Sequence, residues 1–202
     1  MTDEQAMWRV QMADDDVAFT RLMRRWESPI IRLCARMTGD MHRGEDLKQE
    51  TFARVFAHRK DFKPDGKFST WVWRIALNLC YDDLRKKGRR PELVGIAEEE
   101  EAGAAMEAAP EETRPDALAS LTDDCETVRR ALLRLPERNR AALVLRYCEG
   151  LKMREVAEVL QIPETTAASR VGAGLAQITR ILEPQFTLSE RLLGQPERTS
   201  KL

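Results

Sequence analysis

The run Ser69-Thr70-Trp71-Val72-Trp73-Arg74-Ile75-Ala76-Leu77-Asn78-Leu79-Cys80-Tyr81-Asp82-Asp83-Leu84-Arg85-Lys86-Lys87 decides the fold class. Val72, Ile75, Ala76 and Leu79 recur at helical spacing and predict a long helix. Ser69 is a good N-cap residue, and the helix should run from there to about Lys87. Trp71, Arg74, Asn78, Tyr81 and Arg85 follow one another at steps of three and four, which puts them on one continuous face. Aromatic rings interleaved with Arg and Asn suit unstacked bases and phosphates. Lys86, Lys87, Arg89 and Arg90 extend the positive charge. The competing reading makes Trp71 and Trp73 core residues and the remainder a solvated face.

Upstream, the pattern stays helical. Phe19, Leu22, Met23 and Trp26 form one apolar stripe, with Asp14 to Asp16 as its N-cap. Ile30, Leu33, Cys34 and Met37 form another, and Ser28-Pro29 predicts a break between them. Gly39-Asp40 ends this second helix. A third is expected from about Gly44 to Arg59, burying Leu47, Phe52, Val55 and Phe56. Lys63-Pro64-Asp65-Gly66 then reads as a turn.

Downstream, residues 91–126 hold 12 Asp/Glu against a single Lys/Arg, with no aromatic residue and no periodicity. This composition predicts a flexible acidic linker. As a relaxed coil it would span roughly 30–36 Å, and near 120 Å fully extended. Beyond it, the stripe Val128, Ala131, Leu132 and Leu135 precedes Pro136, expected at the first helical position of the next helix. Ala141, Val144, Leu145 and Cys148 follow, and Gly150 is a natural stop. Met153, Val156, Ala157 and Leu160 make a short helix, Ile162-Pro163 a tight turn, and residues 164–182 the last helix. A short helix, a brief turn and a second helix opening Glu164-Thr165-Thr166 is helix-turn-helix spacing. Thr165, Thr166, Ser169 and Arg170 would reach base edges or phosphates from its first turns. Residues 184–202 read as a loose tail.

The expected fold class is therefore all-α: two small helical domains, residues 1–90 and 127–183, joined by the acidic linker 91–126. The net charge of −1 conceals this division. Residues 1–90 carry 19 Lys/Arg and 14 Asp/Glu, and residues 127–183 carry 10 and 6. Two basic blocks around an acidic one suggest two polyanion-binding modules on a tether. Cys34, Cys80, Cys125 and Cys148 lack zinc-ligand spacing, and His42 and His58 stand alone. No Gly-rich phosphate loop and no Gly-x-Ser-x-Gly turn occurs. No catalysis, metal or cofactor is expected. No apolar run is long enough to span a membrane and no signal peptide opens the chain, so a cytoplasmic location is expected.

Asp46-Leu47-Lys48-Gln49-Glu50-Thr51-Phe52, followed by Phe68 to Asn78, closely resembles region 2 of extracytoplasmic-function (ECF) sigma factors. Leu135-Pro136-Glu137-Arg138 through Tyr147, Gly150, Glu155-Val156-Ala157, Ile162-Pro163 and Ser169-Arg170 resembles their region 4. The resemblance implies a subunit that binds core RNA polymerase and directs promoter-specific initiation. It assigns Asp46, Gln49, Glu50 and Phe52 to docking on the polymerase. The loop from Lys63 through Lys67 to Phe68 would pocket a base flipped from the promoter −10 element. Trp71, Arg74, Asn78, Asp82, Arg85 and Lys86 would read and melt that element. Thr165, Thr166, Ser169 and Arg170 would read duplex −35 DNA. An anti-sigma partner is implied as well, and the acidic linker resembles the segment that threads the polymerase cleft.

The sequence departs from the family in one place. After Thr166, where the family usually continues with basic residues, the stretch reads Ala167-Ala168-Ser169-Arg170-Val171-Gly172-Ala173-Gly174-Leu175, so three or four expected positive side chains are missing. The expectation is an intact −10 apparatus with weak or unusual −35 binding. Two other readings remain: a stand-alone dimeric helix-turn-helix regulator, and a degenerate sigma homologue acting as an adaptor. The first leaves the Asp46 to Asn78 constellation unused.

Overall fold

The computed structural model describes residues 1–63, 65–89 and 126–193, with side chains as far as Lys87 in the first domain and Glu183 in the second. Among these residues the regular structure is helical throughout. The first domain comprises α1 (Asp3–Ala13), α2 (Asp16–Thr38), α3 (Met41–Ala57), a 3₁₀ turn at Arg59–Asp61, and α4 (Phe68–Arg89). The second comprises α5 (residues 126–133), α6 (Glu137–Leu143), α7 (Met153–Leu160) and α8 (Glu164–Leu193). The proposed linker lies outside the described residues except at its last position.

The predicted break at Ser28-Pro29 is absent: α2 is one helix with Pro29 inside it. Leu22, Ile30, Leu33 and Met37 form a single stripe, all 1% exposed or less. Burial of that stripe outweighs the one backbone hydrogen bond that Pro29 forfeits. Asp15 caps the helix by accepting from the Ala18 N–H at 2.9 Å, and Gly39, at φ +78°, ends it. Asp40 caps α3 through the Arg43 N–H at 3.1 Å, so α3 starts at Met41 rather than Gly44. It stops at Ala57, and Phe56 and Ile75 are half-buried rather than core.

Periodicity gave no sign of α1. A capping box starts it: Thr2 accepts from the Gln5 N–H while the Gln5 side chain accepts from the Thr2 N–H. Asp3 then ties α1 to α2, taking a 2.6 Å ion pair from Arg25 and a 3.0 Å bond from Trp26 Nε1. Phe68, Trp73, Leu79 and Val72 of α4 pack into the same core as Met7, Val10 and Leu33. Cys34 of α2 meets Cys80 of α4 there, and with burial it pushes the Cys80 thiol far above its ordinary value.

In the second domain Pro136 is the N-cap of α6, one position earlier than expected. The helix then runs into a π turn, Val144–Cys148, which the spacing does not announce. Gly150, at φ +72°, ends this segment as expected. The helix α8 continues to Leu193, past residue 182 and through Pro184, so part of the expected loose tail is helical. Leu188, Glu190, Arg191, Leu192 and Leu193 are strong helix formers, which explains the extension. Residues 194–202 lie outside the described residues.

Candidate nucleic-acid interface

The face anticipated on α4 is present, and α1 helps to build it. Gln11 Nε2 donates to Lys60 O at 2.9 Å and to Phe62 O at 3.2 Å, fixing the approach to the loop before α4. The Glu4 carboxylate accepts from the Phe68 N–H at 3.3 Å, satisfying a donor in the first turn of α4. The Gly66 N–H donates to Lys63 O at 2.9 Å, the bond of the expected turn; Pro64 itself lies outside the described residues. Glu4 and Gln11 were not among the sequence candidates. The Thr2-x-x-Gln5 spacing of a capping box is the signal that could have found their helix.

Lys63 and Lys67 are exposed on the loop. Phe68 is not available to DNA: it is fully buried, with ring centroids 5.9 Å from Trp26, 6.1 Å from Phe62 and 6.2 Å from Trp71. Its large apolar side chain sits at the start of α4, where the core needs a plug. Trp71 is half-buried, its ring 5.4 Å from Phe62, so one edge supports the loop while part of the indole remains accessible. Trp73 is core.

Along the helix, Asn78, Arg85 and Lys86 are exposed, and Arg74 and Asp82 are half-buried. Arg85 is ion-paired to Asp82 one turn back, which orients both. Tyr81, between Asn78 and Arg85 on the same face, is partly covered, and burial pushes its hydroxyl up to about 12. Asp83, on the opposite side, is only 6% exposed at its side chain and receives Arg43 Nε at 2.8 Å. It locks α4 to α3, a role that the sequence did not mark.

On α3, Asp46, Gln49 and Glu50 are exposed. Asp46 lies 3.3 Å from Arg43, and Glu50 pairs with Arg54 at 2.9 Å. Phe52 is 3% exposed, beneath Phe19 at 6.5 Å, and this corrects its assignment as a docking side chain. Its position on the inward stripe with Val55 dictates burial.

In the second domain Gln161, the C-cap of α7, is in the left-handed conformation, and α8 opens three residues later at Glu164. Thr165 and Ser169 are exposed, and Thr166 and Arg170 half-buried. Gly172 faces open space, whereas Gly174 is pressed against Leu143 of α6. The two glycines thus have different causes. Among the described residues no cluster of His, Cys, Asp or Glu could hold a metal. No helix among them is long and apolar enough to cross a membrane.

An aromatic-basic helix face beside a helix-turn-helix unit defines a helical protein of the DNA-binding class. Comparison with known proteins narrows this. Residues 22–90 match the family model "Sigma-70 region 2", and residues 125–178 match "Sigma-70, region 4". The chain is 34% identical to the ECF RNA polymerase sigma factor SigW of Bacillus subtilis over 170 residues, covering 82% of this chain and 89% of that protein. It is 33% identical to the RNA polymerase sigma-H factor of Pseudomonas aeruginosa, covering 90% and 94%. The sigma factor RpoE of Bartonella quintana, solved with the anti-sigma factor NepR, shares the fold at a TM-score of 0.62 and 20% identity, covering 82% of this chain and 96% of that one. The chain belongs to the ECF RNA polymerase sigma factors. It is thus a promoter-directing subunit with no reaction of its own.

Proposed function

We propose that residues 1–90 dock on core RNA polymerase and open the −10 element, while residues 127–183 contact the −35 element, with 91–126 as tether and the protein working in the cytoplasm. Asp46, Gln49 and Glu50 form the docking surface on α3. Lys63 and Lys67 border the base pocket, and Trp71, Arg74, Asn78, Asp82, Arg85 and Lys86 receive the separated strand. Thr165, Thr166, Ser169 and Arg170 meet duplex DNA. An anti-sigma partner regulates the whole, in keeping with the family.

The observation that carries this reading is the half-buried Trp71, braced by Phe62 at 5.4 Å, at the head of a helix face bearing Asn78 and Arg85. A braced indole can stack an extruded base without losing much side-chain entropy, and base–aromatic stacking contributes about 1–3 kcal/mol per base. That matches the few kcal/mol an unstacked base costs.

The test adds the purified chain to core RNA polymerase on a library of duplex promoter templates and maps transcript starts. Core-dependent, start-site-specific transcripts are the expected result. Duplex binding without core would instead indicate the dimeric regulator, and core binding without initiation the adaptor.

A further inference from the structure

One helix holds both ends of the loop that carries Lys63 and Lys67. Before the loop, Gln11 Nε2 of α1 donates to the carbonyls of Lys60 and Phe62 at 2.9 and 3.2 Å. After it, the Glu4 carboxylate of α1 accepts from the Phe68 N–H at 3.3 Å. A third tie leaves the end of the same helix: Asp14, its C-cap, accepts from Arg59 Nε at 2.6 Å. Glu4, Met7, Gln11 and Asp14 follow one another at steps of three and four, which is one face of α1. Met7 is fully buried and seats that face on the core, and the three polar residues reach the loop and its approach.

Each side chain suits its task. A primary amide carries two N–H donors, and Gln11 uses its nitrogen on two carbonyls at once. The first N–H groups of a helix lack intrahelical acceptors, and Glu4 supplies one to α4 at the residue where the loop ends. The Lys67 carbonyl accepts from the Trp71 N–H at 3.2 Å, so the end of the loop is also tied to the residue that carries the exposed indole. The helix that makes these contacts lies upstream of residues 22–90, the span that matches region 2.

We propose that Glu4 and Gln11 are positioning residues for base selection at the −10 element, with α1 setting the shape of the loop before DNA arrives. The inference rests on the reading of this loop as the border of the base pocket. Neither side chain touches DNA; each acts through the loop. A loop already held in its bound shape has no ordering left to do on binding, and apparent affinity scales with the fraction of chains in that shape.

The experiment uses the whole chain. Gln11→Glu keeps the side-chain length but sets a carboxylate without donors against two carbonyl oxygens. Glu4→Ala removes the acceptor, whereas Glu4→Gln keeps an oxygen able to accept from Phe68. Trypsin cleavage after Lys67, timed by mass spectrometry, reads the order of the loop without DNA. Transcripts made with core polymerase on a template library, sequenced with their −10 regions, read base selection. In Gln11→Glu and Glu4→Ala, cleavage should quicken about tenfold and preference at one −10 position should fall about tenfold. The other positions, and co-elution with core, should stay unchanged, and Glu4→Gln should match the unaltered chain. Faster cleavage with every −10 preference intact overturns the positioning role, as does unchanged cleavage in both variants. Equal loss at all positions together with loss of core binding makes α1 a folding element only and overturns it too. Circular dichroism identifies a variant that has not folded, and the other then decides. An unaltered chain without preference at any −10 position overturns the base-pocket reading, and the positioning role with it, even where cleavage shows that α1 holds the loop.

Discussion

Leu143 of α6 lies directly against Gly174 of α8: a Cβ on Gly174 would stand 2.6 Å from Leu143 Cδ1 and 3.0 Å from its Cγ. Leu143 is itself 3% exposed and has little room to retreat. Gly172, two residues earlier on the same helix, has nothing within 4 Å of that position. Two glycines that look alike in sequence therefore answer to different constraints.

Their alanine variants should move stability in opposite directions. Gly172→Ala gains helix propensity alone and should stabilise the chain by up to about 1 kcal/mol. Gly174→Ala makes the same gain but overpacks α6 against α8, which costs about 1–3 kcal/mol, so the net effect is a loss. Thermal unfolding followed by circular dichroism checks both. A stabilised Gly174→Ala would show that the helices separate easily.

The Arg43–Asp83 pair predicts a different asymmetry. Asp83 is 6% exposed at its side chain and Arg43 33%. Lys87 is 3.7 Å from the second Asp83 oxygen, beyond hydrogen-bond reach. Arg43→Ala therefore strands a buried carboxylate and should cost about 3 kcal/mol. Asp83→Asn leaves the half-exposed guanidinium able to reach water and should cost less, about 1–2 kcal/mol. Urea unfolding of the two variants measures the order, which reverses if Arg43 is the more dependent partner.

What was legible in the sequence depended on which atoms made the contact. The stripe and face of α4 are side-chain patterns, and they stand in the structure nearly as spaced. Phe52 and Phe68 fit both a motif and a core position, and only packing decides between these. Pro29 was read as a break because local geometry was weighed without the long buried stripe of α2. The junction between domains was invisible for another reason. Met37 O, Gly39 O and Glu158 O are backbone carbonyls, receiving Arg140, Arg129 and Arg74, and no residue type announces a carbonyl left open at a helix end.

For the −10 face, Asn78→Ala combined with Arg85→Ala should abolish promoter opening while leaving binding to core polymerase near normal. Both side chains are exposed on α4, away from Asp46, Gln49 and Glu50 on α3. Among the described residues Arg85 is paired only to Asp82 in the preceding turn, so its removal leaves the core untouched. Permanganate reactivity of thymines reports opening, and co-elution with core reports docking. Loss of docking in a folded variant would move the docking surface onto α4.

The −35 reader offers the sharpest numerical test, because its charge is so thin. Along the exposed side of α8, Thr165 and Ser169 lead to Gly172, and Arg170 is the sole cation between Glu164 and Ile178. Few phosphate contacts mean a shallow dependence of affinity on salt, with a slope of about −0.9 for each phosphate neutralised on duplex DNA. Gly172→Arg introduces a cation where nothing lies within 4 Å of a new Cβ. It should steepen the slope by about 0.9 and tighten duplex binding at low salt, with little change at high salt. Titrations of duplex pools between low and high salt measure this directly. An unchanged slope in a folded variant would show that this side of α8 does not face DNA, and the −35 assignment of Ser169 would fall with it.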